Sequence, residues 1–136
     1  TRQAPMTSRF ASCSCGQLTA AASSDPLGVS VCHCLACQRR SGSVFAAQAR
    51  FPAASVAVAV ASTTFVRVGD EGSKATFHFC PACGVTVYYF GEARPGEVII
   101  PVGVFADPAF PAPTFSVYEE RMHAWGGLPA DIGHRL

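Results

Sequence analysis

Seven cysteines fall into three short clusters, Cys13-Ser14-Cys15, Cys32-His33-Cys34-Leu35-Ala36-Cys37 and Cys80-Pro81-Ala82-Cys83-Gly84, and none is left over. They divide into four plus three. A structural zinc takes four protein ligands in a tetrahedron, whereas a reactive zinc keeps one position open for water or substrate. The spacing therefore reads as two Zn²⁺ per chain, one site closed and one open.

The closed site needs two vicinal pairs. In a strand, residues i and i+2 point to the same side, so Cys13 and Cys15 can share a metal. In Cys80-Pro81-Ala82-Cys83-Gly84 a tight turn does the same work, with Pro81 stiffening it and Gly84 free to take a positive φ. Zn²⁺ on Cys13, Cys15, Cys80 and Cys83 would tie the N-terminal strand to a segment 65 residues away. Binding energy then becomes folding energy, and the site is a staple rather than a catalyst.

Cys32, Cys34 and Cys37 lie within six residues, so one local turn can present them as a tripod at little loop-closure cost. His33 is the nearest fourth ligand, but between two metal-facing cysteines of an extended segment it points away. Water or an external thiol is the better candidate. Three thiolates leave the cluster at −1 and make the metal a weak Lewis acid. Capturing a thiol suits it better, because coordination pulls a thiol of pKa about 8.5 to its thiolate at neutral pH. Arg39 and Arg40 follow the last ligand and could offset the charge, hold carboxylates of an anionic thiol, or form an ordinary solvated pair. A loosely held tripod can also lose its metal and oxidise among its own cysteines.

The elements that must position these clusters read as short strands cut by Gly, Pro and Ser: 17–22, 28–31, 43–51, 56–61, 65–68, 75–79, 85–90, 98–102 and 115–119. Val56, Val58 and Val60 repeat with period two, which predicts one face on the core. Gly69-Asp70-Glu71-Gly72-Ser73 reads as a hairpin loop, and a short helix is expected over Leu35–Ser41. Ten prolines argue against long helices. The reading is a single domain over 12–136, with 1–11 as a mobile N-terminal segment and Met6 as the native start.

At 136 residues and 49% apolar composition the chain can bury a real core, and only 14% of it is charged. The formal net charge is +1, which gives no global case for nucleic acid or an anionic membrane. Residues 1–68 carry +5 and residues 69–136 carry −4. Seven thiolates and two Zn²⁺ would take the loaded chain to about −2. Disulfides would need an oxidising compartment and leave one of the seven cysteines unpaired; no N-terminal apolar run resembles a secretory signal. The expected location is cytoplasmic, with no membrane span and a homodimer compatible with the sequence.

As a set, CSCG at 13–16, CHCxxCQRRSG at 32–42, FCPxCG at 79–84 and the late Pro-rich stretch ending at Trp125 resemble the glutathione-dependent formaldehyde-activating family, which includes centromere protein V-like proteins. The resemblance runs from about Ser12 to Trp125. It implies an all-β, zinc-stapled β-tent fold of several small antiparallel sheets with short helical turns, a structural zinc on Cys13, Cys15, Cys80 and Cys83, and a second on Cys32, Cys34 and Cys37. It also implies a carbon–sulfur lyase-type activity that adds a thiol such as glutathione to formaldehyde or another small aldehyde. A His common in the family after the Pro-rich stretch is replaced near Phe115 or Ser116.

A held thiolate beside a captured aldehyde would exploit proximity, and a nearby donor would neutralise the forming alkoxide. His33, Gln38, Tyr88 and Tyr89 are candidates by residue type. Trp125, with Phe105, Phe110 and Phe115, lines a pocket or caps the core. The rival reading is a non-catalytic, zinc-stabilised binding or scaffolding module. A methionine sulfoxide reductase of the B type would need a later catalytic Cys, and none follows Cys83. A zinc ribbon would pair two CxxC knuckles in a shorter chain.

Overall fold

The computed structural model describes residues 8–127 and 130–135. Residues 1–7, including Met6, lie outside the described residues. The described residues contain eleven strands and one α-helix. In order they are β1 (Arg9–Ser12), β2 (Thr19–Ala22), β3 (Gly28–Cys32), α1 (Leu35–Ser41), β4 (Ala46–Pro52), β5 (Val56–Ala59), β6 (Thr63–Val68), β7 (Lys74–Phe79), β8 (Thr86–Gly91), β9 (Glu97–Pro101), β10 (Phe115–Val117) and β11 (Gly133–Arg135). The all-β expectation and the lone helix hold.

Two sheets form. One is antiparallel, in the order β1-β2-β5; the other has eight strands in the order β11-β10-β3-β4-β9-β8-β7-β6. The large sheet is antiparallel except around β10, which runs parallel to both β3 and β11. The β6–β7 hairpin turns through Gly69–Ser73 as expected, with Gly72 at φ 91°.

Alternation along the strands of the large sheet sorts residues onto two faces. One face carries Val29, Ala49, Phe51, Tyr88, Val98 and Ile100, all buried with Ala11, Leu18, Ala20 and Ala22 of the small sheet and its turn, and a register shift at His78/Phe79 lets Val87 join them. Alanines let the two sheets approach closely, and Phe105 fills the end of the layer, 5.9 Å from the Phe51 ring and 4.7 Å from that of Phe110. The other face carries Cys32, Gln48, Arg50, Phe77, Tyr89 and Ile99, and only part of it is covered.

Helix α1 is set by its ends. Cys34 is the N-cap, its Sγ accepting the Cys37 N–H at 3.3 Å, and Gly42 closes the helix in the left-handed region at φ 70° with its N–H on Gln38 O at 2.8 Å. A candidate ligand thus also starts the helix that carries the next one. Arg39 and Arg40 occupy the last turn, where cations complement the helix dipole.

Two expectations are corrected. Val56 packs on the core, but Val58 and Val60 are 48% and 61% exposed. β5 is the edge of the small sheet, and the chain leaves it at Val60 with φ 73° to enter β6. The ordered domain also begins before residue 12, since β1 pairs with β2 from Arg9 on and Ala11 is fully buried.

Candidate metal centres and the open cleft

The structure brings together Cys13, Cys15, Cys80 and Cys83, and separately Cys32, Cys34 and Cys37, with the sulfurs of each group all within 4.8 Å of one another. In the four-sulfur group, Cys13 Sγ to Cys15 Sγ is 3.7 Å and Cys15 Sγ to Cys80 Sγ is 3.6 Å. A tetrahedral ion with metal–sulfur bonds of about 2.3 Å spaces its sulfurs about 3.8 Å apart, so the cluster fits an ion of zinc size.

Two matching turns build this group. Cys13 N–H donates to Leu18 O at 2.9 Å and Cys80 N–H to Val85 O at 3.0 Å. In each turn a backbone N–H also reaches back to a sulfur, Leu18 N to Cys13 Sγ at 3.2 Å and Ala82 N to Cys80 Sγ at 3.4 Å. Gly16 and Gly84 both take positive φ, 84° and 80°. The Cys80–Gly84 turn is as expected, whereas Cys13 and Cys15 meet through a turn after β1 rather than within a strand. Burial pushes the Cys13 thiol up, but the Leu18 N–H and the sulfurs of Cys83, Cys15 and Cys80 outweigh it and bring it down to about 6. Cys13 and Cys80 belong to the main core, so a thiolate there calls for a cation.

The tripod lies on the opposite face of the large sheet. Cys32 ends β3, Cys34 caps α1 and Cys37 lies within it; Cys32 and Cys37 are buried and Cys34 is half-buried. Hydrogen bonds from Cys32 and Cys37, helped by the Cys37 N–H and the Arg67 charge, hold the Cys34 thiol at about 2 against the effect of burial. Cys32 is correspondingly pushed far up by Cys34 and Cys37. Three sulfurs compete for one negative charge, the condition a bound cation relieves.

The Arg40 guanidinium lies 5.1 Å from the Tyr89 ring centre and 5.4 Å from that of Phe77, and its Nη2 is buried without a hydrogen-bond partner. A desolvated cation with an unmet donor needs an anion nearby, and its charge acts on the Cys37 thiol. This fits a tripod that keeps net negative charge when loaded. Arg67, across the β6–β7 ladder, lies 5.6 Å from the Phe77 ring and completes the positive surround. Arg39 is exposed, and neither it nor Arg40 lines the cleft over the tripod.

That cleft measures ≈ 840 Å³, with the three cysteines, Gln48, Arg67 and Tyr89 along its inner wall. Of the donor candidates, only Tyr89 lines it. The Tyr89 hydroxyl donates to Gln48 Oε1, and burial pushes its pKa well up, so it stays a neutral donor. Tyr88 faces the main core and stacks on His78 at 4.4 Å. His33 is 1% exposed and turned away from the sulfurs, as its parity predicts, with Nε2 3.1 Å from Ser116 Oγ. Gln38 donates to His33 O at 2.7 Å and Arg121 O at 3.1 Å, and His123 Nε2 donates to its Oε1 at 3.1 Å; it braces the tripod loop from behind. Trp125 is 74% exposed, while Phe105 and Phe110 belong to the core.

Sequence reasoning missed Arg67 and Gln48, which reach the tripod through strand register. Among the described residues, no helix is long and apolar enough to cross a membrane.

Residues 8–121 match the sequence model of a family described as glutathione-dependent formaldehyde-activating enzyme. The crystal structure of a Rhodobacter sphaeroides protein is similar at a TM-score of 0.54 and 20% identity, covering 70% of this chain and 85% of that one, which shows likeness of fold. No curated protein matches the chain. With the family's sequence model spanning all seven cysteines and most of the chain, this protein belongs to the glutathione-dependent formaldehyde-activating enzyme family.

Proposed function

We propose that the chain is a zinc-dependent enzyme that adds a thiol such as glutathione to formaldehyde or another small aldehyde, a carbon–sulfur lyase in the reverse direction. One observation carries this reading: four sulfurs are folded into the turns beside the core, while the other three stand at the wall of an open cleft. Cys15 is exposed as well, but four sulfurs complete a tetrahedron, whereas three leave a position for a substrate thiol on the cleft side.

Cys13, Cys15, Cys80 and Cys83 would hold a structural ion. Cys32, Cys34 and Cys37 would hold the other, whose charge would stabilise a substrate thiol as its thiolate. Arg40 and Arg67 balance the negative charge that the tripod and the thiolate accumulate on this face. The cleft places the aldehyde beside the sulfur, which converts an encounter into an intramolecular step. Tyr89 turns its hydroxyl from Gln48 toward the carbonyl oxygen, where negative charge grows. The carbon–sulfur bond forms, the carbonyl π pair moves to oxygen, and the proton released by the thiol ends on that oxygen. Atoms and electrons balance without a redox partner.

The test is exchange spectroscopy by NMR on zinc-loaded protein with glutathione and formaldehyde. Adduct exchange is expected to accelerate over the uncatalysed background and to lose that acceleration in Cys34→Ser. Background rates with the loaded wild type would leave a zinc-stabilised binding module.

A further inference from the structure

The large sheet ends at β6, and among the described residues no strand pairs with its outer side. The six residues Thr63–Val68 therefore present a row of unpaired backbone N–H and C=O groups. Sheet edges are commonly blunted by shortness, proline, lysine or a bulge. β11, at the opposite edge, is three residues long. β6 instead pairs with β7 in unbroken register along its whole length and contains neither proline nor lysine. Its one charge, Arg67, leans over the Phe77 ring at 5.6 Å on the tripod face.

The side chains at this edge are apolar as well. Phe65, Val66 and Val68 are half or more exposed. Across the sheet Val66 faces Thr76, which faces Phe90, and this uncharged row extends the core face to where Val66 and Phe90 are exposed. Val58 and Val60 stand exposed at the same end, since only residues 60–62 separate β5 from β6 and Ser62 is tied to His78 of that face at 2.7 Å. Val60 is a β-branched residue at φ 73°. Such strain persists where neighbours over-determine it, and on its exposed side solvent supplies none. The exposed apolar surface of this end is on the order of 400 Å², the size of patch that marks an interaction site.

We propose that β6 is the docking edge for a second copy of this chain, which adds its own β6 antiparallel about a two-fold axis at Val66. The strand is complementary to itself. Opposite residues of an antiparallel pair share a face, so a two-fold pair must centre on a residue rather than between two. Centring on Arg67 would oppose two guanidinium groups, and centring on Phe65 would set Arg67 against Thr63. Centring on Val66 opposes Val66 to itself, Thr64 to Val68 and Phe65 to Arg67, so apolar groups meet each other and each guanidinium meets a ring. With the strand pairing added to the patch, the contact reaches the lower end of specific interfaces, about 1,200 Å² in total, as expected of a reversible pair. Both tripod clefts then open on one side of the joined sheet, and the second copy's Phe65 stands beside the Arg67 that lines each cleft.

Sedimentation velocity on the metal-loaded full chain, from micromolar to millimolar concentration under reducing conditions, should show the mass rise from 14.2 kDa to twice that value and no further. Amide exchange followed by NMR should slow at the outward N–H groups of β6 over the same range. Val66→Lys opposes two ammonium groups at the axis and should weaken the pair at least about tenfold, while the circular dichroism and melting of the dilute protein stay unchanged. Thr64→Glu should weaken it too, and adding Val68→Lys should restore it. Within one chain those two side chains lie roughly 13 Å apart, so they can meet only across the axis. A mass of 14.2 kDa at every concentration, growth beyond a pair, or a pair that Val66→Lys leaves intact would overturn the proposal. Failure of the double variant to recover would overturn the register centred on Val66.

Discussion

Stripping the ion from the four-sulfur site should cost the protein far more stability than stripping the tripod, and the chain path sets the difference. Cys15 and Cys80 stand 65 residues apart, and closing a loop of that length restricts the unfolded chain by about 4 kcal/mol at 25 °C. The tripod closes only the six residues from Cys32 to Cys37, worth about 2 kcal/mol by the same expression. With unfolding entropy near 2.1 cal/mol/K per residue, these become drops in melting temperature of about 15 °C and about 8 °C for a chain of this length. Both are minimum costs, because the loss of metal–sulfur bonds adds to them. The assay is stepwise chelation under reducing conditions, with released metal counted and thermal melts followed by circular dichroism. Cys34→Ser, which spares the staple, and Cys83→Ser, which breaks it, assign the two steps. Equal drops for the two variants, or a four-sulfur site emptied with no change in melting, would refute the reasoning.

Tyr89→Phe removes the cleft's neutral donor and should lower the rate about 10- to 100-fold with thiol binding unchanged, measured by the NMR exchange assay; its fold stability should change by no more than about 1.5 kcal/mol. His78 is held below its ordinary value of 6.5 by burial. Its folded-state pKa is depressed, so the stability it contributes is present above pH 6.5 and is lost as the pH falls below it. Urea unfolding across that window should show the loss, and His78→Phe should flatten that part of the profile. Phe51→Ala, at a fully buried site between the sheets, should cost about 3–5 kcal/mol in the same assay.

The two cysteine clusters that could hold metal were legible because each cysteine pair or triplet is local, and local spacing survives whatever the rest of the chain does. Helix α1 was legible for a related reason, since Cys34 and Gly42 mark its two ends in sequence. Face assignment was not. Period two in Val56, Val58 and Val60 says that one side differs from the other, but not that β5 lies at an edge with little to bury against. Tyr88 and Tyr89 are equivalent in type, and adjacent residues of one strand must face opposite ways; which one enters the cleft depends on the β8–β9 pairing of Tyr89 with Ile99. Arg67 reaches the tripod surround because β6 pairs with β7 in a register that puts it opposite Ala75. The parallel pairing of β10 with β3 and β11 joins segments far apart in sequence, and no local pattern announces it.

The central claim is a vacant position at the tripod that a substrate sulfur fills. Zinc-edge X-ray absorption on fully loaded protein, before and after glutathione, tests it most directly. One sulfur should be gained per chain, with a nitrogen or oxygen neighbour lost, and Cys34→Ser should abolish the change. A sulfur count already complete before glutathione, or unaltered by it, would contradict the account.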